Sequence, residues 1–269
     1  MKKLITLAAI GLYGIATSVF AAEPTPIISH GFYAGIGGGW NTIDETYAST
    51  LFTSTHKSAH DNYNVSSNRL APLIQLGYWR PFNETWLWGV TAQWEYLGYQ
   101  TANVNSSRGQ YIQNASFSSI NFFGPDVLRD FTSQTNINNE VLLLFYLGMQ
   151  MQQSYVYLGL GPALFTASNN IYVSSVHTPH GGSNLVSTSV GANNTLWGGA
   201  AQVGFNLYLN PIWFLNFSYT YLKSTTGSFN NSANATKLNG GSAGPTTLNL
   251  NRAIRWSTQE VTLSINKVF

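Results

Sequence analysis

The sequence contains no cysteine, so no disulfide can stabilise it, even in an exported chain where disulfides are available. It is also poor in charge. Asp, Glu, Lys and Arg make up 8% of the residues, against about a quarter in ordinary soluble domains. No cluster of Lys and Arg is present, which excludes the electrostatic footprint of a nucleic-acid binder. Beyond the N-terminal segment no apolar run approaches the roughly 18 residues that a spanning helix needs. The longest, Val141 to Leu147, is too short. A soluble chain this short of charge is hard to keep dispersed, and disorder is disfavoured by the high aromatic content, 14% of residues.

The first residues, MKKLITLAAIGLYGIATSVFAAEP, have the three regions of a secretory signal. Lys2 and Lys3 are the charged start, Leu4 to Ile15 the apolar centre, and Ala21 and Ala22 the small residues before a cleavage site. We assign 1–22 to a signal peptide and 23–269 to a single domain, which falls within the size range of one all-β barrel. Without Lys2 and Lys3 the basic and acidic residues balance, so the basic isoelectric point belongs largely to the precursor.

Eight runs of about ten residues alternate with period two. They are GFYAGIGGGWN, APLIQLGYWR, WLWGVTAQWEYLGY, EVLLLFYLGMQM, YVYLGLGPALF, LWGGAAQVGFNLYL, IWFLNFSYTYL and EVTLSINKVF. In the fourth, Leu142 and Leu144 blur the alternation. In the fifth, Pro162 predicts a bulge or a strand end. Links after the second, fourth and sixth runs are short: PFNET, QQS and NP. Those after the first, third, fifth and seventh are long and rich in Asn, Ser, Thr and Gly, the pattern of a bacterial outer-membrane barrel with short periplasmic turns and long outer loops. In lipid every backbone N–H and C=O must pair internally, so strands cross only as a closed barrel. The expected fold is an all-β, eight-stranded, antiparallel up-and-down transmembrane β-barrel.

Aromatic residues fall at the strand ends, where membrane–water interfaces belong. Trp86, Trp88, Trp213 and Phe269 lie at the periplasmic end, and Trp40, Trp94 and Trp197 at the outer end. The opposite parity places Gln75, Gln93, Glu95, Glu140, Gln202, Asn206, Asn216, Glu260, Thr262, Ser264 and Asn266 in the lumen, with Arg69 inward near the outer mouth. Three carboxylates in a narrow lumen require cations or protons, and pairing with Arg69 is the expected solution. Two readings of this network stand, a structural plug and a small gated ion path.

With this signal, the GFYAGIGGGW opening, eight strands and the terminal VTLSINKVF, the chain from about Gly31 to Phe269 resembles the small eight-stranded outer-membrane proteins of Gram-negative bacteria, of the opacity-protein and OmpA-barrel type. The resemblance implies outer-membrane localisation, contact with outer-membrane lipid and lipopolysaccharide, and recognition of the last strand, ending in Phe269, by the barrel-assembly machinery. It implies a porin-like or surface-antigen type of protein but names no activity, because fold does not give function. We expect a monomer with a structural or surface-interaction role through its loops, where a host or surface ligand would bind. The alternative is a narrow channel or small-ligand carrier using the lumenal carboxylates. No catalytic residue, cofactor or metal is expected. His30, His56, His60, His177 and His180 all lie outside the eight runs. The HKSAHD and HTPH spacings are ones a metal or a loop-located enzyme could use, but they sit in no recognised metal motif, and solvent-exposed loop histidines are the favoured reading. Within the second long loop, SSINFFGPDVLRDF carries Val127, Leu128 and Phe131 at helical spacing after Pro125. It reads as a short helix packed over the barrel mouth, or as a sticky contact for lipid or a host surface.

Overall fold

The computed structural model describes residues 31–53, 58–100, 104–105, 121–123, 126–151, 153–177, 183–184, 188–235 and 246–269. Twelve strands follow in chain order: β1 Gly31–Thr53, β2 Ser58–Pro81, β3 Trp86–Gln100, β4 Val104–Asn105, β5 Asn121–Phe123, β6 Asp126–Met151, β7 Ser154–His177, β8 Ser183–Asn184, β9 Thr188–Tyr208, β10 Trp213–Ser224, β11 Gly227–Ala235 and β12 Thr246–Val268. No described helix is long and apolar enough to cross a membrane. The long strands pair in the order β6, β3, β2, β1, β12, β10, β9, β7, and β7 returns to β6. The result is a closed, antiparallel, eight-stranded barrel, with the four short strands as additions at one end. The expected signal peptide lies outside the described residues.

Closure is complete at the seam. β1 pairs with β12 from Tyr33↔Val268 to Thr53↔Leu248, and the Phe269 amide donates to the Phe32 carbonyl at 2.9 Å. Two of the three short turns are built alike. The Asn83 side-chain oxygen accepts from the Thr85 and Trp86 amides, and that of Asn210 from the Ile212 and Trp213 amides. Each is an Asx turn, in which a side chain supplies a backbone-like acceptor and sets the reversal.

Two expectations are corrected. The long links after the first, fifth and seventh runs are largely strand. β1 and β2 remain paired up to Phe52↔Ser58, β7 and β9 up to Val173↔Thr188, and β11 extends the β10 side along β12 up to Ala235↔Thr246. Their polar composition hid this, because alternation between lipid and lumen ends where the membrane ends. The expected helix after Pro125 is also strand: residues from Asp126 belong to β6 and pair with β7, with Val127 opposite His177. A lone helical turn leaves most of its backbone groups unpaired, whereas the neighbouring β7 pairs most of the segment, with register shifts on either side of Asp130.

Among the irregularities of the described strands, two concern residues that break a ladder. Gly98, at φ 51°, takes the left-handed conformation where the β3–β6 register shifts between Tyr96 and Tyr99. This is a bulge of the kind glycine permits. Pro162 makes no bulge. The β6–β7 pairing breaks between Leu142↔Ala163 and Phe145↔Leu160 with unchanged register, as expected where proline offers no N–H to the ladder.

On the lumenal side, tyrosines lie flat across glycines of the next strand. Tyr33 faces Gly77, Tyr146 faces Gly89, and Tyr157 faces Gly204. At each of these glycines an added Cβ would collide with the tyrosine ring. Missing side chains thus make room for large ones, which fills a tapering interior. We expect Gly77→Ala, Gly89→Ala and Gly204→Ala each to destabilise the barrel by about 1–3 kcal/mol through overpacking. Gly199→Ala, whose Cβ meets nothing within 4 Å, should be neutral. Urea midpoints of the protein folded in detergent check this.

Candidate functional site

The exterior divides the barrel into two zones. Near the short turns it is apolar: Phe32, Ile36 and Trp40 on β1, Leu70, Ile74 and Leu76 on β2, and Val141, Leu143, Phe145 and Leu147 on β6 are all exposed. Past Trp40 the outward positions of β1 become Thr42, Asp44 and Thr46, and β2 presents Asn68, Ser66 and Asn64. The stretch from Phe32 to Trp40 matches the 9–11 residues with which a tilted strand crosses a bilayer. An apolar belt around a closed barrel with a polar interior is the inverse of a soluble protein, and identifies a bacterial outer-membrane barrel with its short turns on the periplasmic side. At 23 residues and about 3.3 Å per residue, β1 is more than twice as long as the crossing requires. A paired ribbon therefore stands outside the membrane.

All seven interface rings named from the sequence are exposed: Trp40, Trp86, Trp88, Trp94, Trp197, Trp213 and Phe269. Trp86, Trp88 and Trp213 flank the short turns. Trp40 and Trp94 stand at the level where the exterior turns polar. The Lys267 ammonium lies 5.2 Å from the Phe269 ring centre, a cation–π contact at the periplasmic rim.

The lumen is filled. Nearest the short turns, Tyr33, Trp79, Tyr146, Tyr155, Tyr157, Tyr208 and Phe214 form a buried aromatic cluster. A second buried apolar cluster lines the β6, β7 and β9 wall through Leu142, Leu144, Phe165 and Leu196, and continues outward to Ile254 and Trp256. Sequence reasoning missed both as lumen fillers. Their trace was there in the blurred alternation of the fourth run, where Leu142 and Leu144 share the inward parity of Glu140.

Between these clusters lie the polar residues. Gln75 donates to Ser264 at 2.9 Å and to Asn266, and Ser218 bonds Thr262. Asn216 donates to the Tyr157 hydroxyl at 2.8 Å and to Asn206 at 2.7 Å. Tyr157 in turn donates to Gln202, which donates to Thr220. Chains of this kind polarise one another, and a missing member leaves buried groups unsatisfied.

Gln93, Glu95, Glu140 and Glu260, all named from the sequence, are brought together. Glu95 and Glu140 are direct cross-strand partners, and one carboxylate oxygen from each of Glu95, Glu140 and Glu260 lies within 4.8 Å of the others. All three are buried, Glu260 completely. Asn41, which sequence reasoning did not single out, donates to Glu95 at 2.8 Å, and Gln93 donates to Glu260 at 3.2 Å. Gly39 is the floor of the group: a Cβ there would stand 2.6 Å from Glu95 Oε1 and 2.7 Å from Glu260 Oε1. Arg69 is not among them. It is opposite Asn41 in the β1–β2 register, but it is exposed, because the described β2–β3 pairing ends at Leu73↔Glu95 and leaves that stretch of β2 at an open edge. The expected arginine counter-charge is therefore absent from the cluster among the described residues. His60 and His177 fall in strands, where only their backbone is described, and His30, His56 and His180 lie outside the described residues.

No family model matches the chain, and no curated protein matches it. Solved structures that align with it are membrane barrels. Ail, the attachment invasion locus protein of Yersinia pestis, aligns at 10% identity and a TM-score of 0.31, covering 83% of this chain and 98% of that one. The outer membrane protease OmpT of Escherichia coli aligns at 8% identity and a TM-score of 0.42, covering 91% and 99%. Neisserial surface protein A aligns at 12% identity and a TM-score of 0.29, covering 86% and 97%. Scores this low do not bear on what this chain does, and the barrel assignment stands on its own strand register.

Two substitutions separate the buried network from the exposed arginine. Asn216→Leu leaves the Tyr157 hydroxyl and the Asn206 carbonyl without their donor, and should cost about 1–3 kcal/mol. Arg69→Ala should stay within about 0.5 kcal/mol of wild type, as for other exposed positions. Equilibrium unfolding in urea measures both.

Proposed function

We propose that this protein is a structural and surface-interacting outer-membrane barrel that works through the ribbon it raises above the membrane. The observation that carries this is the continuation of paired strands past the apolar belt. There the outward side chains become Thr42, Asp44, Thr46, Asn68, Lys223, Ser228, Asn230 and Arg255, all at least partly exposed. A rigid ladder carries this polar surface well clear of the lipid, and binding residues concentrate on surfaces presented in this way by a rigid scaffold. The exposed rings from Trp86 and Trp213 at one end to Trp40, Trp94 and Trp197 at the other serve as interface girdles that set its depth, with lipopolysaccharide and lipid as its immediate surroundings.

The filled lumen argues against the channel reading. Asn41, Glu260 and Asn266 are fully buried, and apolar side chains lie on both sides of them. A conducting path needs ion sites that an ion can enter and leave. The interior therefore serves as a structural plug.

The test is to replace residues 46–65, the outer part of the β1–β2 hairpin, with a short Gly-Asn turn. The barrel should still fold and still migrate differently when heated on a gel. Cells carrying it should bind immobilised extracellular-matrix protein more weakly than cells carrying the full chain. Undiminished binding after equivalent trimming of the other hairpins overturns the surface reading. Purified protein in planar bilayers should show no discrete conductance steps, and steps lost in Glu95→Gln would restore the channel.

A further inference from the structure

We propose that Glu95, Glu140 and Glu260, together with the side-chain oxygen of Asn41, form a buried calcium site that the barrel closes around as it folds. The inference concerns the interior and does not depend on the surface reading.

The first observation is the arrangement of charge. Like charges directly opposite on neighbouring strands are destabilising, yet Glu95 and Glu140 face each other and Glu260 completes the group from across the lumen. No described cation lies in the cluster, and Arg69 is outside it. Burying an unpaired charge is costly, so buried charges are normally paired or coordinate metals.

The second observation is independent of the carboxylates. Asn41 is fully buried. Its amide nitrogen is committed to Glu95, and its carbonyl oxygen has no hydrogen-bond partner. That oxygen is bonded to the same carbon as the nitrogen touching Glu95, so it lies beside that carboxylate. Glu95 Oε2, Glu260 Oε2 and both oxygens of Glu140 likewise have no hydrogen-bond partner. The two amide donors, Asn41 and Gln93, each take one carboxylate oxygen and leave the other turned free. Five unsatisfied oxygens on four buried side chains, three of which each bring a carboxylate oxygen within 4.8 Å of the others, are a ligand set for a hard cation.

Size and dryness select the ion. Calcium takes oxygen ligands at about 2.3–2.6 Å, which separates opposed ligands by roughly 5 Å, and the carboxylate oxygens here lie within 4.8 Å of one another. Magnesium usually keeps several waters and demands near-ideal octahedral geometry, which a sealed pocket of side-chain oxygens does not supply. Gly39 leaves open the side on which two of the carboxylates converge. Because the site is sealed, the ion has a structural role and does not move through the barrel.

The experiment refolds the protein from urea into detergent micelles with calcium, with magnesium or with a chelator, then desalts it and measures bound metal by mass spectrometry. We expect one calcium retained per chain, a melting temperature raised on the order of 5 °C over the chelator sample, and little retention of magnesium. Glu140→Gln should lose the retained ion. It should be more stable than wild type in chelator, where it relieves the Glu95–Glu140 repulsion, and less stable than wild type in calcium. Wild type that retains no calcium and melts alike in calcium and chelator overturns the proposal, since protons then balance the cluster. A Glu140→Gln variant ranked the same way in both conditions also overturns it. If that variant does not fold, the wild-type comparison decides.

Discussion

Backbone pairing in a medium without water governs this molecule. In lipid an unpaired N–H or C=O has no alternative partner and costs several kcal/mol. An open eight-stranded sheet would expose two such edges along its full length. The β1–β12 seam removes both, running without a register shift from Tyr33↔Val268 to Thr53↔Leu248, with the Phe269 amide adding a bond beyond it. With no cysteine in the chain, closure takes the place that covalent cross-links have in many exported proteins.

Closure then imposes a packing problem, since an eight-stranded barrel has an interior only wide enough for side chains to fill. The solution pairs absence with bulk. Glycines at 77, 89 and 204 lie beneath the rings of Tyr33, Tyr146 and Tyr157, so the wall thins where the filling is thickest. Polar side chains cross the remaining width and satisfy one another through chains such as Asn216, Tyr157, Gln202 and Thr220. The carboxylate cluster is where charged groups gather in this interior, and its position under the Gly98 bulge sets it at the outer end of the membrane-spanning part.

Much of this was legible in the chain. Period-two alternation identified the eight crossings, and parity placed Gln75, Glu95, Glu140, Gln202, Asn206, Asn216, Glu260 and Asn266 in the lumen, all of them buried. The alternation is readable because lipid and lumen differ sharply in polarity. Beyond the membrane that contrast weakens, since the outward face becomes polar while the inward face still packs a mixture of apolar residues such as Ile43 and Trp256 and polar ones such as Glu45 and Thr258. Strands such as the outer halves of β1 and β2 therefore read as loop, and Val127, Leu128 and Phe131 read as a helical turn.

Arg69 shows the limit of parity most clearly. Its parity is inward, and the matching charge made pairing with the glutamates the natural expectation. Whether an inward residue is enclosed depends on whether both neighbouring strands are present at its height, and the described β3 pairing ends below it. In the same way, no local pattern connects Asn41 with Glu95 or Glu95 with Glu260, because they lie on different strands and meet only across the closed lumen. The sequence by itself determined the crossings, their direction and which face of each is wet, because those follow from one strand and its solvent. Which inward residues touch was decided only by the tertiary structure, because contact across a barrel depends on register and closure, which belong to all eight strands at once.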